Sequence, residues 1–202
     1  MPTGITHILI GAAAGGALAP KERPWRFVAV ATALSWLPDA DVLAFRLGIP
    51  YEHPLGHRGL AHGLPFALAA SLVAVLLFFR HMPRFSWRWW ATWGCFFAVM
   101  AAHDLLDAMT DGGLGIALFS PFDRTRYFLP WRPIRVAPIG GGFFSEYGLR
   151  ALASEARWIW LPVGGLSAAG LFVRRIVTRN RPERRAGARR GSAPAPSPRE
   201  SP

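Results

Sequence analysis

Apolar stretches of near-spanning length recur along this chain, at 5–19, 27–47, 63–79, 89–109 and 158–173, and each of the first four carries a His or an Asp in or beside one end. About 20 apolar residues in a helix cross a hydrocarbon core of about 30 Å. In lipid, every backbone N–H and C=O must be satisfied within the fold, which leaves helices or closed barrels. The fold class expected is therefore all-α: a polytopic transmembrane bundle of four to five helices. The first stretch is short for a full span, and Pro38-Asp39-Ala40-Asp41 interrupts the second, so both are expected as short or broken helices held by their neighbours.

The charges fix an expected orientation. The formal net charge is +11, with Arg174, Arg175, Arg179, Arg181, Arg184, Arg185, Arg189, Arg190 and Arg199 all beyond the last apolar stretch. The links 21–26 and 80–88 are short and basic as well. Basic residues gathered in this way orient membrane helices, so these links and the tail are expected in the cytoplasm and the N-terminus outside. The same distribution argues against a nucleic-acid partner. Residues 1–177 are expected as the bundle, with an outer loop over 111–157, and 178–202 as a disordered Arg/Pro-rich tail. The charges near the first stretch follow it (Lys21, Arg23, Arg26) and none precedes it, which argues against a cleaved signal peptide. Cys95 is the single cysteine, so an intrachain disulfide and a Cys-based zinc site are excluded.

Rise per residue places the polar side chains in one layer. His7 lies ~21 Å along a helix from Lys21, and Asp39 ~20 Å from Arg26. His103 and Asp107 lie ~22 and ~28 Å from Arg88, and His62 ~27 Å from Arg80. Four segments thus bring His or Asp to the same outer depth. A carboxylate there costs at least ~2.5 kcal/mol, so it must face the interior and have a partner. Imidazole plus carboxylate is a ligand set for zinc, manganese or non-haem iron. His103 and Asp107 share a helix face at i, i+4. His57 and His62 flank a Gly-containing turn, and Arg58 between them offers a fork suited to a phosphate or carboxylate.

Simpler roles exist for each group. His7 suits a membrane interface, and Asp39 and Asp41 suit caps around a helix break. His103 and Asp107 suit an interhelical hydrogen bond, and His57 and His62 a surface loop. The shared depth of the whole set favours function, because ionisable groups inside a membrane are functional by default. His53 and His81 are read as ordinary link residues.

Several of these residues resemble the YdjM-like family of inner-membrane metal-dependent hydrolases. The resemblance rests on Thr6-His7, on Leu37-Pro38-Asp39-Ala40-Asp41, on His57-Arg58-Gly59-Leu60-Ala61-His62, and on His103-Asp104-Leu105-Leu106-Asp107-Ala108-Met109-Thr110 followed by Gly112. It covers about residues 1–135. Val42 and Leu43 stand where the family often has His or Pro, and Ala61 where it often has a hydroxyl residue. The resemblance implies His7, Asp39, His57, His62, His103 and Asp107 as ligands of a divalent metal, zinc or manganese. It also implies a multi-pass protein of a bacterial inner membrane.

Together these readings predict a membrane-bound metal-dependent hydrolase acting on a small-molecule or lipid-linked phosphoester near the outer face, with membrane lipids as partners. Asp104, Asp111 or Asp41 would accept the proton, and Arg58 would stabilise developing negative charge. The alternatives are a non-enzymatic membrane protein with a structural His/Asp metal cluster, and a small ion-coupled transporter.

Overall fold

The computed structural model describes residues 1–20, 23–138, 140–170, 172 and 176. These are helical with no strand among them, and two isolated bridges, Thr110 with Ile134 and Ile116 with Tyr127, order the long connection. Helix α1 covers Gly4–Leu18 and α2 covers Pro24–Trp36, with Pro24 in the first turn where its missing N–H costs nothing. The chain then tightens to a 3-10 segment, Leu37–Val42, and relaxes to α3, Leu43–Arg46. Pro38 sits in the first turn of that segment, so the helix is tightened there and not broken. The expected interruption thus falls at these residues as a change of helix type, within a helical run of 23 residues, Pro24–Arg46.

A short 3-10 turn at Leu60–His62 leads into α4, Leu64–Phe78. Helix α5, Trp87–Ala108, starts at Ser86, whose hydroxyl accepts from the Trp89 N–H at 3.3 Å. By length and apolar composition, Pro24–Arg46 is the one helix among the described residues suited to cross a membrane. Helices α1 and α4 are apolar but only 15 residues each, and α5 is long but carries Arg88, Asp104 and Asp107.

The four long helices alternate in direction. α1 packs along α2, α4 along α5, and α2 against α5. Phe27, Ala31 and Leu34 of α2 meet Ala67, Ala74 and Val75 of α4, and Phe96 and Met100 of α5, in one buried cluster. The small side chains let the helices approach. Gly11 and Gly15 do the same for α1: a Cβ on Gly11 would stand 2.7 Å from the Thr32 Cα, and one on Gly15 2.9 Å from the Val28 Cα. Outward-facing positions are also apolar, with Ile5, Ile8 and Leu9 on α1 and Val73, Leu76, Leu77 and Phe78 on α4 all exposed.

The connection after α5 is shorter than the sequence suggests. A 3-10 turn at Gly140–Phe144 is followed by α6, Glu146–Glu155, a π turn at Ala156–Trp160, and helix over 161–170. The expected 111–157 loop is therefore corrected to end at Ser145. The polar residues of α6 hid it from an apolar count. Met1–Gly164 forms one compact unit. The second unit runs from Gly165 to Pro202, and the tail predicted over 178–202 lies outside the described residues.

Candidate metal centre

One end of the bundle collects what the sequence scattered. His7 comes from the first turns of α1, Asp39 from the 3-10 segment after α2, His62 from the turn before α4, and His103 and Asp107 from the last turns of α5. His7, His62, His103 and Asp107 are all fully buried and Asp39 nearly so. The His103 and His62 Nε2 atoms stand 3.2 Å apart. His103 Nε2 is 3.5 Å from Asp39 Oδ1, and His62 Nε2 is 3.7 Å from the same oxygen. His62 Nε2 is also 3.6 Å from Asp107 Oδ2. His7 Nε2 lies beside them, 3.6 Å from Asp107 Oδ1 and 4.0 Å from Asp39 Oδ2.

Each outer ring nitrogen of His103 and His62 faces an oxygen. His103 Nδ1 faces the Ser35 carbonyl at 2.8 Å, and a carbonyl only accepts, so that nitrogen carries the proton. His62 Nδ1 faces Asp41 Oδ2 at 3.0 Å, which favours an N–H on the same side. With both rings neutral and these protons on Nδ1, the lone pair would sit on Nε2. Two lone pairs and two carboxylates converge on one dry point, and both oxygens of Asp39, Oδ1 of Asp107 and both ring nitrogens of His7 lack a hydrogen-bond partner. Buried polar groups are otherwise almost always satisfied.

A divalent cation fits these donors. Tetrahedral zinc with bonds of 2.0–2.1 Å needs donors about 3.4 Å apart, close to the separations found here. Asp39, His62, His103 and Asp107 form a buried group that could hold a metal ion. The pairing of each imidazole's far nitrogen with a carboxylate or carbonyl is the support such ligands use.

The other predicted residues stand around this group. His57 points its Nδ1 at Asp41 Oδ1, 2.6 Å away, so the two join His62 in a second cluster beside the first. Asp41 Oδ2 also accepts from the Arg58 N–H at 3.0 Å. Arg58 is fully buried and holds a positive φ of 62°. Its Nε donates to Asp107 Oδ2 at 3.0 Å, Nη1 to the Gly112 carbonyl at 3.1 Å, and Nη2 to the Thr110 hydroxyl at 3.0 Å. With each of its three guanidinium nitrogens bonded to the protein, Arg58 orients Asp107. The group expected to suit a phosphate or carboxylate thus engages the Asp107 carboxylate. Asp104 is buried with neither carboxylate oxygen partnered. Asp111 accepts from the Val136 N–H at 2.8 Å.

The long connection folds over this end. The Leu64 N–H donates to the Leu118 carbonyl at 2.8 Å, and the Leu129 N–H to the Ala108 carbonyl at 2.9 Å. Arg126 reaches the carbonyls of Tyr51 at 2.9 Å and His57 at 3.2 Å. At its tip, hydrogen bonds from the Thr125 hydroxyl and N–H, and from Tyr127, hold the Asp123 carboxyl below the usual range.

Two supports had no counterpart in the sequence reading. Ser35 links the layer internally, since its hydroxyl donates to the His7 carbonyl at 2.6 Å while its own carbonyl faces His103. Glu155 is fully buried at the end of α6 and accepts from the Thr3 N–H and the Thr3 hydroxyl, each at 2.7 Å, and from the Thr6 hydroxyl. Trp160 Nε1 donates to Thr6 at 2.7 Å. The start of α1, and His7 with it, is thereby tied to a carboxylate nearly 150 positions away. The Gly11–Gly15 spacing was the available signal for the α1 packing. Nothing near Glu155 in sequence announced its partners.

Comparison with known proteins places these features in a wider set. The profile of the YdjM inner membrane proteins matches residues 1–180. The protein named Inner membrane protein YbcI, from Escherichia coli (strain K12), is 38% identical over 164 residues, covering 80% of this chain and 92% of that relative. No solved structure matches.

Proposed function

We propose, since this chain belongs to the YdjM inner membrane protein family, that it is a multi-pass inner-membrane metalloprotein whose buried His/Asp group binds a divalent cation and hydrolyses a phosphoester. The resemblance seen in residues 1–135 identified that family, and the match extends it to residue 180. The observation that carries the metal reading is the facing pair of Nε2 atoms, 3.2 Å apart, with the Asp39 and Asp107 carboxylates around them. Both oxygens of Asp39 and Oδ1 of Asp107 find no protein donor there, and a cation would satisfy them. Zinc suits the donor set, and manganese is the second candidate.

Such an ion lowers the pKa of a bound water and polarises a phosphoryl oxygen. The chain's own residues divide the remaining tasks. Asp41 and the Ser35 carbonyl hold two imidazoles in their tautomer, and Arg58 holds Asp107. Asp41 and Asp111 have their carboxylates engaged, which leaves Asp104, unpartnered and one residue from His103, as the group able to accept a proton. The exposed apolar faces of α1 and α4 support lipid contact, and basic residues at the opposite end support the cytoplasmic side there. On this topology the His/Asp layer lies near the outer face, which favours a lipid-linked or headgroup phosphoester. The predicted cytoplasmic tail, beyond the described residues, follows from the same orientation.

Complete burial supports a second reading, a structural metal site with no open position. One experiment separates the two. The detergent-purified chain is compared with His103→Ala and Asp104→Asn for metal content by mass spectrometry and for phosphodiesterase activity. The hydrolase reading expects metal in the wild type and in Asp104→Asn, with activity in the wild type alone. Bound metal with no hydrolysis of any phosphoester selects the structural reading, and a metal-free wild type after reconstitution removes both.

A further inference from the structure

The end of the bundle away from the His/Asp layer is hollow. A cavity of about 480 Å³ lies between the end of α1, the start of α2 and the α4–α5 link, lined by Leu18, Arg23, Phe27, His81, Trp87 and Arg88 among others. A second, of about 320 Å³, is lined by Val75, Leu76, Arg80, Arg84 and Trp89. Phe79 and Met82 belong to both linings, so the two chambers adjoin across a shared wall. Volumes of this order accept a ligand of drug-like size or larger.

The linings have one chemistry. Four arginines and a histidine contribute to them, and no carboxylate does among the described residues. The remaining surface is aliphatic and aromatic, with Phe27 and Phe79 buried at the floor and Trp87 exposed at the rim. Arg26 adds a further cation, lying over the Phe79 ring at 6.0 Å. Basic residues alone would be explained by helix orientation, which needs charge near a helix end. Orientation does not need recesses. Two adjoining recesses with basic rims and apolar floors match a ligand with an anionic head and apolar tails.

We infer that these chambers bind an acidic phospholipid, its phosphate at Arg23, Arg80 and Arg84 and its acyl chains against Phe27, Phe79 and Met82. The site stands at least ~16 Å from His7 along α1, so it is separate from the His/Asp group and needs neither a metal nor hydrolysis. Basic pockets between membrane helices recognise anionic headgroups by the same combination of charge and apolar contact.

The test uses the full chain purified in a non-ionic detergent and native mass spectrometry. Phosphatidylglycerol, phosphatidylcholine with the same acyl chains, and soluble glycerol phosphate are added in parallel. Phosphatidylglycerol should be retained at least roughly fivefold more strongly than phosphatidylcholine, the effect of even one basic residue near a lipid phosphate. Arg23→Gln/Arg84→Gln should lose roughly tenfold or more of that retention, and Arg23→Lys/Arg84→Lys should keep most of it. Both positions are exposed, so folding is checked by retained secondary structure in the same samples. Equal retention of the two lipids, or no change in the Gln variant, overturns the inference. Glycerol phosphate binding as tightly as phosphatidylglycerol also overturns it, because the ligand would then be a soluble phosphate.

Discussion

His103 Nδ1 donates to the Ser35 carbonyl at 2.8 Å, and this contact decides which ring nitrogen faces the centre of the site. Ser35 acts there through its backbone, while its hydroxyl serves His7. The two roles separate on mutation. His103→Ala should reduce bound metal from about one ion per chain to near none, because one ligand and its lone pair are gone. Ser35→Ala keeps the carbonyl and should retain the metal, at a stability cost of about 1 kcal/mol for the lost hydroxyl bond. Metal analysis beside thermal unfolding reads both, and loss of metal in Ser35→Ala would show that the hydroxyl, not the carbonyl, governs the site.

Asp41 holds His57 and His62 at once, through different oxygens. Its carboxylate therefore orients a ligand, and Asp41→Asn should weaken metal binding by about 10–100-fold, the usual effect of removing such a support. Competition against a chelator of known affinity measures it. His57→Ala removes a neighbour of Asp41 that is absent from the central group, so its effect should be smaller. Equal losses in the two variants would place His57 among the ligands.

Depth was legible in the sequence and partnership was not. Counting residues from the basic links to His7, Asp39, His62, His103 and Asp107 placed them in one layer, because helix rise is constant. The same counting could not tell that Arg58 turns inward, since that depends on a positive φ at Arg58 and on Gly113, where a Cβ would stand 2.7 Å from Nη1. Nor could it separate His57 from His62: His62 belongs to both groups, whereas His57 belongs only to the one with Asp41. Helix α2 ends at Trp36, and the expected break at Pro38 takes the form of a 3-10 segment because Pro38 falls in the first turn of that segment. Helix α6 was missed because its buried residues are Gly148, Ala151 and Glu155, and apolar periodicity has no place for a buried Glu.

Arg58 bridges Asp107, Thr110 and Gly112 with three separate nitrogens. A lysine offers one nitrogen and cannot make that fork, so Arg58→Lys should be far from conservative. Arg58→Ala should destabilise the fold by about 3–5 kcal/mol, the cost of leaving a buried carboxylate without its partner. Arg58→Lys should recover part of that stability and restore little metal affinity. Denaturation in mild detergent gives the first quantity and metal titration the second; full metal affinity in Arg58→Lys would mean that charge alone, without the fork, sets Asp107.

Gly11 meets α2 where a side chain has no room. In Gly11→Val the new Cβ would press on the Thr32 backbone and the Ser35 side chain, and neither neighbour is the free end of a flexible group. Helix α1 must move away, costing about 1–3 kcal/mol as overpacking does. The Ser35–His7 bond is in that interface, so metal affinity should fall with stability. Gly16→Val is the control, since nothing lies within 4 Å of a Cβ there. Matching behaviour of the two variants would argue against close α1–α2 packing.

Glu155 lies far from the His/Asp centre in sequence, yet it fixes the segment that delivers His7. Its two oxygens take three hydrogen bonds from Thr3 and Thr6. Glu155→Ala leaves three donors without an acceptor in a dry interior, and an unmet buried donor costs about 1–3 kcal/mol. Glu155→Gln keeps one acceptor oxygen and places an NH₂ group against hydroxyls that can turn to accept, so it should lose less. A purely structural Glu155 would lower the unfolding temperature and leave metal affinity in the folded protein unchanged. A positioning Glu155 should weaken the metal in proportion to the disturbance of α1, more for Ala than for Gln. Zinc titration of each folded variant therefore tests whether the last turn of α6 reaches the first turns of α1 in function as it does in space.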